Sequence, residues 1–431
     1  MKRELALDLI DFLDKSPTAY QSVTTIKEIL DKEGFIEVKE EDKWNLQKEG
    51  KYYVIKNNSA LIAFRVGKGD ISEDGFKLIG AHTDSPGFRI KGNPEMVSEG
   101  KYLKLNTEVY GGPLLYTWFD RPLGIAGRVT VKGKSLLRPE IKLLDIRKPL
   151  LIIPSVAIHM NRAVNDGFAV NKQKDTLPLL SLISDKFEKD NYLLKIIAKE
   201  LKVSEKDILG FDLYLCDIEK GALIGANEEF ISAGRLDDMW MVYAGIKALV
   251  DGKVTNGTNI MVCVDNEEIG SNTAQGADSD LLLNILERIT LALGKDREGL
   301  HRTLANSIMI SADLAHAVHP NAEEKHDPTN RPLLGNGPVL KTACSGSYST
   351  DSYNAAIFEG LCKASEIPYQ NFYNRSDVRG GSTIGSMTSA RLTIPVMDMG
   401  APLLSMHSIR ELGTVIDNYY TIKLFTEFYN N

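Results

Sequence analysis

Two histidines and five acids of the 431-residue chain fall where they could act together. His82 and Asp84 form an HxD triplet at the end of the apolar run FKLIGA, and Glu267 and Glu268 follow NIMVCVDN. Asp313 follows SIMISA, His407 comes shortly after PVMDMGAP, and Asp237 sits in SAGRLDDMW ahead of an apolar stretch. Singly, each has an ordinary structural explanation: a histidine in a strand-end loop is often a satisfied structural residue, and Asp237 and Asp238 could be acids favoured by a helix N-terminus. Together, so many carboxylates on one edge would repel one another unless a cation sits among them. Nitrogen and oxygen donors without thiolates suit Zn²⁺, Mn²⁺ or Co²⁺. One bridging carboxylate could hold two such ions about 3.5–4 Å apart.

The elements that must position these residues alternate along the chain. Hydrophobic spacing predicts helices over residues 2–13 and 20–33 and strands over 52–55, 60–66 and 76–79. From about Gly92 the runs LKLNTEVY, GIAGRVTVKG and LLIIPSVAIHM, separated by Gly and Pro, predict a small barrel or sandwich, interrupted by a helix over 177–201. After Phe230 the α/β rhythm returns: a helix after Leu236, a strand at 259–264, a helix at 280–293, a strand at 307–311, a helix at 351–364, a strand at 392–397 and a C-terminal helix from about Ser408. The expectation is one α/β domain, residues 1–92 and 234–431, interrupted by a β-rich domain at 93–233. Each candidate at the end of a strand then lies at the carboxyl edge of a sheet, where open α/β sheets bind ligands.

Composition narrows the function. Charged residues make up 25% and hydrophobic residues 43% of the chain, which argues against disorder, and the net charge of −7 with no Lys/Arg-rich run argues against a nucleic-acid partner. The N-terminus breaks its apolar positions with acids and lacks the core of a secretory signal. No run of about 18 apolar residues predicts a membrane span. Cys216, Cys263, Cys344 and Cys362 show no CxxC pairing, so reduced thiols and a cytoplasmic location are expected.

The ordered blocks SPTAY, GAHTDSPGFRIK, PSVAIHMNR, ISAGRLDDMW, DNEEIGS, ADLAHAVHPN, GPVLK, GGSTIG and MHSIRE make the chain similar to the M18 metalloaminopeptidases, the aspartyl aminopeptidase group. The resemblance implies a zinc-exopeptidase-like α/β/α sandwich, a β-rich dimerisation domain inserted into it, two divalent ions per subunit with Zn²⁺ favoured over Mn²⁺ or Co²⁺, and dimers assembled into a tetrahedral homododecamer acting on peptides. It implies His82 and Asp313 as ligands of the first metal, Asp237 as the bridge, and Glu268 and His407 as completing the second site. Glu267 resembles the general base, which takes a proton from the attacking water and passes it to the leaving amine. Asp84 would orient the His82 imidazole. His159 resembles a histidine that reaches a neighbouring subunit's active site and stabilises the tetrahedral intermediate; a buried barrel histidine is the alternative reading. His316 and His319 are placed near the substrate, and Lys341 and Tyr348 in the pocket for its first side chain. A lysine there would attract a substrate carboxylate and favour N-terminal Asp or Glu. His301 and His326 receive no role.

Two departures bear on specificity. GRLDD stands where the eukaryotic members have an Asp-Asn pair, and NRSDVR places Asp377 and Arg379 before GGSTIG, a run that is no nucleotide fingerprint because no strand–GxGxxG–helix unit surrounds it. A broad neutral-residue aminopeptidase is the alternative reading. A non-catalytic peptide-binding shell is the remote one, since it predicts a missing ligand or base and all six positions are filled.

Overall fold

The computed structural model describes residues 1–183, 191–378 and 380–431, which form two compact units. The first comprises Met1–Asp84, Gly221–Met406 and Glu411–Asn431; the second comprises Ser85–Lys220 with the short segment His407–Arg410. The units therefore divide at 84/85 and 220/221 rather than at the expected 92/93 and 233/234. Gly87–Ser98 already pairs within the second unit's sheet, whereas Phe230–Ala233 pairs with Glu411–Thr414 in the first.

The first unit is built on a nine-stranded mixed sheet. Its order is Ile36–Glu37, Lys51–Lys56, Ala60–Arg65, Thr258–Val264, Phe76–His82, Ile308–Ala312, Val396–Gly400, Val339–Lys341 and Gln370–Phe372. Four neighbouring strands at its centre, Thr258–Val264 to Val396–Gly400 in that order, run parallel. They are apolar on both faces, as parallel strands covered by helices must be. Alternation assigns each side chain to a layer: Ile79, Ala81, Met261, Cys263, Ile310, Met397 and Met399 join one core, while Phe76, Leu78, Ile260, Val262, Met309 and Val396 join the other. The helices Lys2–Asp14, Ala19–Lys32, Leu236–Asp251, Ser352–Ala364 and Val415–Asn430 cover the first face. Leu281–Ala292, Arg297–Ala305 and Ile384–Leu392 cover the second. This is the α/β/α sandwich of the expectation. Leu236–Asp251 is the most enclosed helix, with Met239, Trp240, Met241 and Val242 all at 0% exposure.

The second unit is a six-stranded antiparallel sheet in the order Arg138–Leu151, Leu123–Ser135, Ile208–Asp217, Gly87–Ser98, Tyr102–Tyr110 and Leu179–Leu182. Its edge strands meet at one antiparallel bridge between Ile152 and Leu179, so the sheet curls towards closure. Phe88, Ile90, Ile125, Val129, Val131, Leu213 and Leu215 fill its core with Leu193 and Ile197 of the helix Tyr192–Leu201.

Local signals failed where tertiary pairing or a cap decided the outcome. The expected helix at 177–201 is a strand at Leu179–Leu182, bonded to Tyr102–Tyr110, and a helix only from Tyr192; the stretch 184–190 lies outside the described residues. The expected strand at 392–397 begins at Val396, because Leu392 still ends a helix and Thr393 turns through a left-handed φ of 53° before Pro395. The C-terminal helix starts at Val415, where the Thr414 side chain accepts the Asp417 N–H, and not at Ser408. The run LLIIPSVAIHM is strand only to Leu151, since Pro154 has no N–H to donate to a ladder, and His159 falls in an exposed turn.

Candidate metal centre

Parallel register brings the acids together. Val264 pairs with His82, and Ile308–Ser311 pair with Lys77–Gly80, so three neighbouring strands end side by side and release His82, Glu267–Glu268 and Asp313 from one edge. Asp237 and Asp238 are supplied by the start of the helix Leu236–Asp251. Ligand-type atoms of His82, Asp237, Asp238 and Asp313 all lie within 4.8 Å of one another, as do those of His82, Glu267 and Glu268.

Most of these groups are withdrawn from water. His82 is 1%, Asp237 3%, Asp238 0% and Asp84 5% exposed. The His82 Nδ1 lies 3.1 Å from the Asp84 carbonyl oxygen; a carbonyl only accepts, so Nδ1 carries the proton. In the neutral ring the Nε2 lone pair then faces Asp237 Oδ1 at 3.6 Å and Glu267 Oε2 at 4.0 Å, the tautomer a metal ligand requires. Burial alone would lower the His82 pKa, but the carboxylates of Asp238, Asp237, Asp84 and Glu267 outweigh it and hold it well above the usual imidazole range. Burial pushes Glu267 up to about 7, with Asp313, Asp84 and Asp237 adding to the rise against His82. It raises Asp313 too, against the opposing pull of Lys341.

Three carboxylates brace the site by accepting backbone amides. Asp84 takes the N–H of Glu267 on Oδ1 and of Glu268 on Oδ2, both at 3.1 Å. Asp238 Oδ2 takes the N–H of His82 at 3.1 Å, and Glu411 Oε2 takes that of Asp237 at 2.9 Å. Asp84 thus fixes the double-acid turn as well as the imidazole. Arg235 adds a tie from the other side, its guanidinium donating to the carbonyls of Ser16 and Thr83. Sequence reasoning gave Asp238, Glu411 and Arg235 no role. The only signal was their presence in the blocks LDD, SIRE and SAGR.

Lys341 and Tyr348 are also brought together, but turned inward. The Lys341 Nζ is 3.3 Å from Asp313 Oδ2, donates to the Leu314 carbonyl at 3.0 Å and lies 5.3 Å from the Tyr348 ring centre, with both residues buried. Burial would lower the ammonium pKa, yet Asp313, Tyr348 and Asp398 raise it, so Lys341 stays charged. Asp398, opposite Lys341 in the strand register, accepts the Ser349 N–H at 2.5 Å and the Thr383 hydroxyl. An aspartate within PVMDMGAP, at 0% exposure, was the one legible sign of this network. GGSTIG proves to be a helix start: Thr383 caps Ile384–Leu392, and a Cβ at Gly385 would stand 2.3 Å from Asp398 Oδ1.

His316 and His319 are exposed and line an open cleft with Lys325, His326, Asp327, Phe372, Arg375 and Met406; His316 ends the short strand Ala315–His316 just after Asp313. Asp377 pairs with Arg375 at 2.7 Å; Arg379 lies outside the described residues. His407 belongs to the second unit's short segment, where its Nδ1 is 3.0 Å from the Gly112 carbonyl, so by the same reasoning Nε2 is its unprotonated nitrogen. His159 stands in an exposed turn of the second unit.

An imidazole among five clustered carboxylates, with hard nitrogen and oxygen donors and one buried ammonium, fits a divalent cation better than any arrangement of protons. Such a donor set at the carboxyl edge of an α/β/α sheet defines a metallohydrolase of the exopeptidase type. Residues 12–429 match the family model described as aminopeptidase I zinc metalloprotease (M18), and the chain belongs to the M18 aminopeptidase family; it is a metalloaminopeptidase. The probable M18 family aminopeptidase 2 of Clostridium acetobutylicum is 59% identical over 432 residues, covering all of both chains. Among solved structures, the S. cerevisiae mApe1 dodecamer superposes with a TM-score of 0.86 at 31% identity, covering 99% of this chain and 96% of that one. The M18 aminopeptidase of Thermotoga maritima gives 0.88 at 25% identity, covering 100% and 96%.

Two predictions follow from the geometry. Because burial holds a proton on Glu267 up to about pH 7 in the metal-free chain, divalent ion uptake at pH 6 expels protons, and the share released by Glu267 fades as the pH rises through about 7. Calorimetric titration in buffers of different ionisation enthalpy reads this directly; a heat independent of buffer at pH 6 would contradict it. Gly400 admits no side chain, since a Cβ there would stand 2.0 Å from the Asp313 carbonyl oxygen. Gly400→Ala should cost about 1–3 kcal/mol of stability and, by shifting Asp313, reduce metal affinity at least ~10-fold. Urea unfolding and a chelator competition measure the two effects.

Proposed function

We propose that the chain is a dinuclear aminopeptidase that removes the N-terminal residue of peptides, with a preference for aspartate or glutamate. The observation that carries this reading is the excess of buried carboxylate around the one imidazole His82. His82, Asp237 and Asp313 would hold one ion, Zn²⁺ first and Mn²⁺ or Co²⁺ as alternatives. Asp237, Glu268 and His407 would hold the second. When bound, the ions would polarise the scissile carbonyl and acidify the attacking water. Glu267, half-buried beside His82 and not itself among the proposed ligands, suits the base: it accepts the water's proton and returns it to the leaving amine. Asp84 keeps that carboxylate in place through the Glu267 amide.

Replacing Glu267 with Gln should retain two bound ions and lower kcat by ~10²–10⁴-fold. Turnover within tenfold of wild type, with metal bound, would show that Glu267 is not the base.

Acidic preference is supported by the cleft, where the cations Lys325 and Arg375 stand with His316, His319 and His326, and Asp327 is the only acid among the described lining residues. Lys341 contributes less directly, because its ammonium is already paired with Asp313. Asp-, Glu-, Leu- and Lys-nitroanilides discriminate the readings. The acidic pair should exceed the others at least ~10-fold in kcat/KM, one rank of specificity energy; equal rates would leave a broad neutral-residue aminopeptidase.

Self-association into dimers and a tetrahedral homododecamer is inferred from the yeast relative, itself a dodecamer. The exposed turn at His159 would then let that residue serve a neighbouring copy. A cytoplasmic location is supported by four cysteines that form no disulfide, three of them buried. No helix among the described residues is long and apolar enough to cross a membrane.

A further inference from the structure

The second unit carries a pair of residues that neither its core nor its turns require. Leu136 and Leu137 are 101% and 94% exposed, above every other large hydrophobic residue described, the next being Met160 at 79%. They form the whole loop of the hairpin between Leu123–Ser135 and Arg138–Leu151, because Ser135 pairs with Arg138. Two-residue hairpin loops favour Asn, Asp and Gly, which adopt positive φ in the tightest turns; neither leucine has a positive φ, so turn geometry does not ask for them. The tip is also unsupported. Ile208–Asp217 pairs with Leu123–Ser135 only as far as Val131, and Arg138–Leu151 is the edge of the sheet, so residues 132–140 project as a two-stranded ribbon with no third strand among the described residues. A ribbon of that kind is marginal in water, and its two outward leucines present apolar surface that association would bury.

Charge indicates the kind of surface that the tip fits. Residues 132–142 hold four cations, Lys132, Lys134, Arg138 and Lys142, against the one acid Glu140, in a chain whose net charge is −7, so the rest of the chain is more acidic still. Lys132 is met by Asp207 at 3.2 Å and Lys142 by Glu140 at 3.1 Å, which leaves Lys134 and Arg138, both exposed, beside the leucines. We propose that this tip docks on a second copy of the chain, with Leu136 and Leu137 buried at the centre of the contact and Lys134 and Arg138 meeting carboxylates at its rim. This rests on the self-association inferred above from the dodecameric yeast relative, and it assigns that association a contact. Every copy carries the same tip, so the contact recurs with the symmetry of the assembly.

The test replaces the leucines in the full, metal-loaded chain and reads mass by light scattering over a concentration series. Neither side chain packs against its own chain, so Leu136→Ser with Leu137→Ser should keep the far-ultraviolet spectrum and the thermal transition of the dissociated chain. The concentration needed for half-assembly should rise at least ~30-fold, the loss typical of a buried hot spot. Lys134→Glu with Arg138→Glu should act in the same direction, and added salt should weaken wild-type assembly through the same two cations. Should the serine pair disturb the hairpin, Leu136→Asn with Leu137→Gly installs the favoured two-residue turn and removes the same apolar surface. Wild-type mass and concentration dependence in both leucine variants overturn the proposal and leave self-association to other surfaces. A wild-type chain that stays monomeric at every concentration removes the self-association reading with it. Flotation with phosphatidylserine vesicles that the leucine variants lose, at unchanged mass, assigns the tip to a membrane and overturns the proposal as well.

Discussion

Mutual repulsion among carboxylates gathered in a poorly hydrated space is the constraint on which the first unit depends. Two like charges 4 Å apart at an effective dielectric near 20 cost ~4 kcal/mol, and an entire domain is held by only ~5–15 kcal/mol. Asp237, Asp238, Asp313, Glu267 and Glu268 therefore cannot all be ionised around His82 on their own account. The fold answers in three ways visible in the side-chain partners. Asp84 satisfies its charge on two backbone amides, Asp313 borrows a buried ammonium from Lys341, and burial raises the pKa of Glu267 and Asp238 so that they can hold protons.

Those answers explain the architecture around the edge. Amide bonds to charged acceptors are worth ~1.5–3 kcal/mol each, so the bonds from Glu267, Glu268, His82 and Asp237 to Asp84, Asp238 and Glu411 also fix the loops that bear the candidate ligands. Each acid braces a segment distant in sequence. The sheet sets strand ends to within one residue through the His82–Val264 and Gly80–Ser311 pairings, and the carboxylates then set the loops. A site assembled this way tolerates little movement of its frame, which is why Gly400 must leave room for the Asp313 carbonyl.

Legibility followed the same division. The central strands were readable because a parallel strand covered on both faces is an uninterrupted apolar run, as in NIMVCV and SIMIS, and the acids after them were readable because charge abruptly succeeds such a run. Elements held by pairing or capping were not: LPLLSL carries no strand signal stronger than its helix signal until Tyr102–Tyr110 bonds to it, and Glu411–Thr414 reads as the first turn of a helix until Phe230–Ala233 lies beside it. Residues that act on backbone amides were invisible for a related reason. Glu411 and Asp238 meet partners 174 and 156 positions away, and neither their type nor their spacing announces an amide as the target.

Lys341 shows how the charge constraint reaches specificity. From its block alone it reads as a cation offered to an acidic substrate, and in a hydrated pocket it would be. At 3% exposure, 3.3 Å from Asp313 and opposite Asp398, its charge is instead shared between two buried acids. A substrate carboxylate would have to compete with Asp313 for it, and winning would leave a metal-site acid unbalanced. The cations of the open cleft, Lys325 and Arg375, carry charge that the centre does not need. Arg375 is itself restrained by Asp377, so its pull on a substrate depends on an exposed pair that water and salt screen easily. If the chain selects acidic residues through this cleft, that preference should weaken with ionic strength, whereas the buried Lys341–Asp313 pair should not.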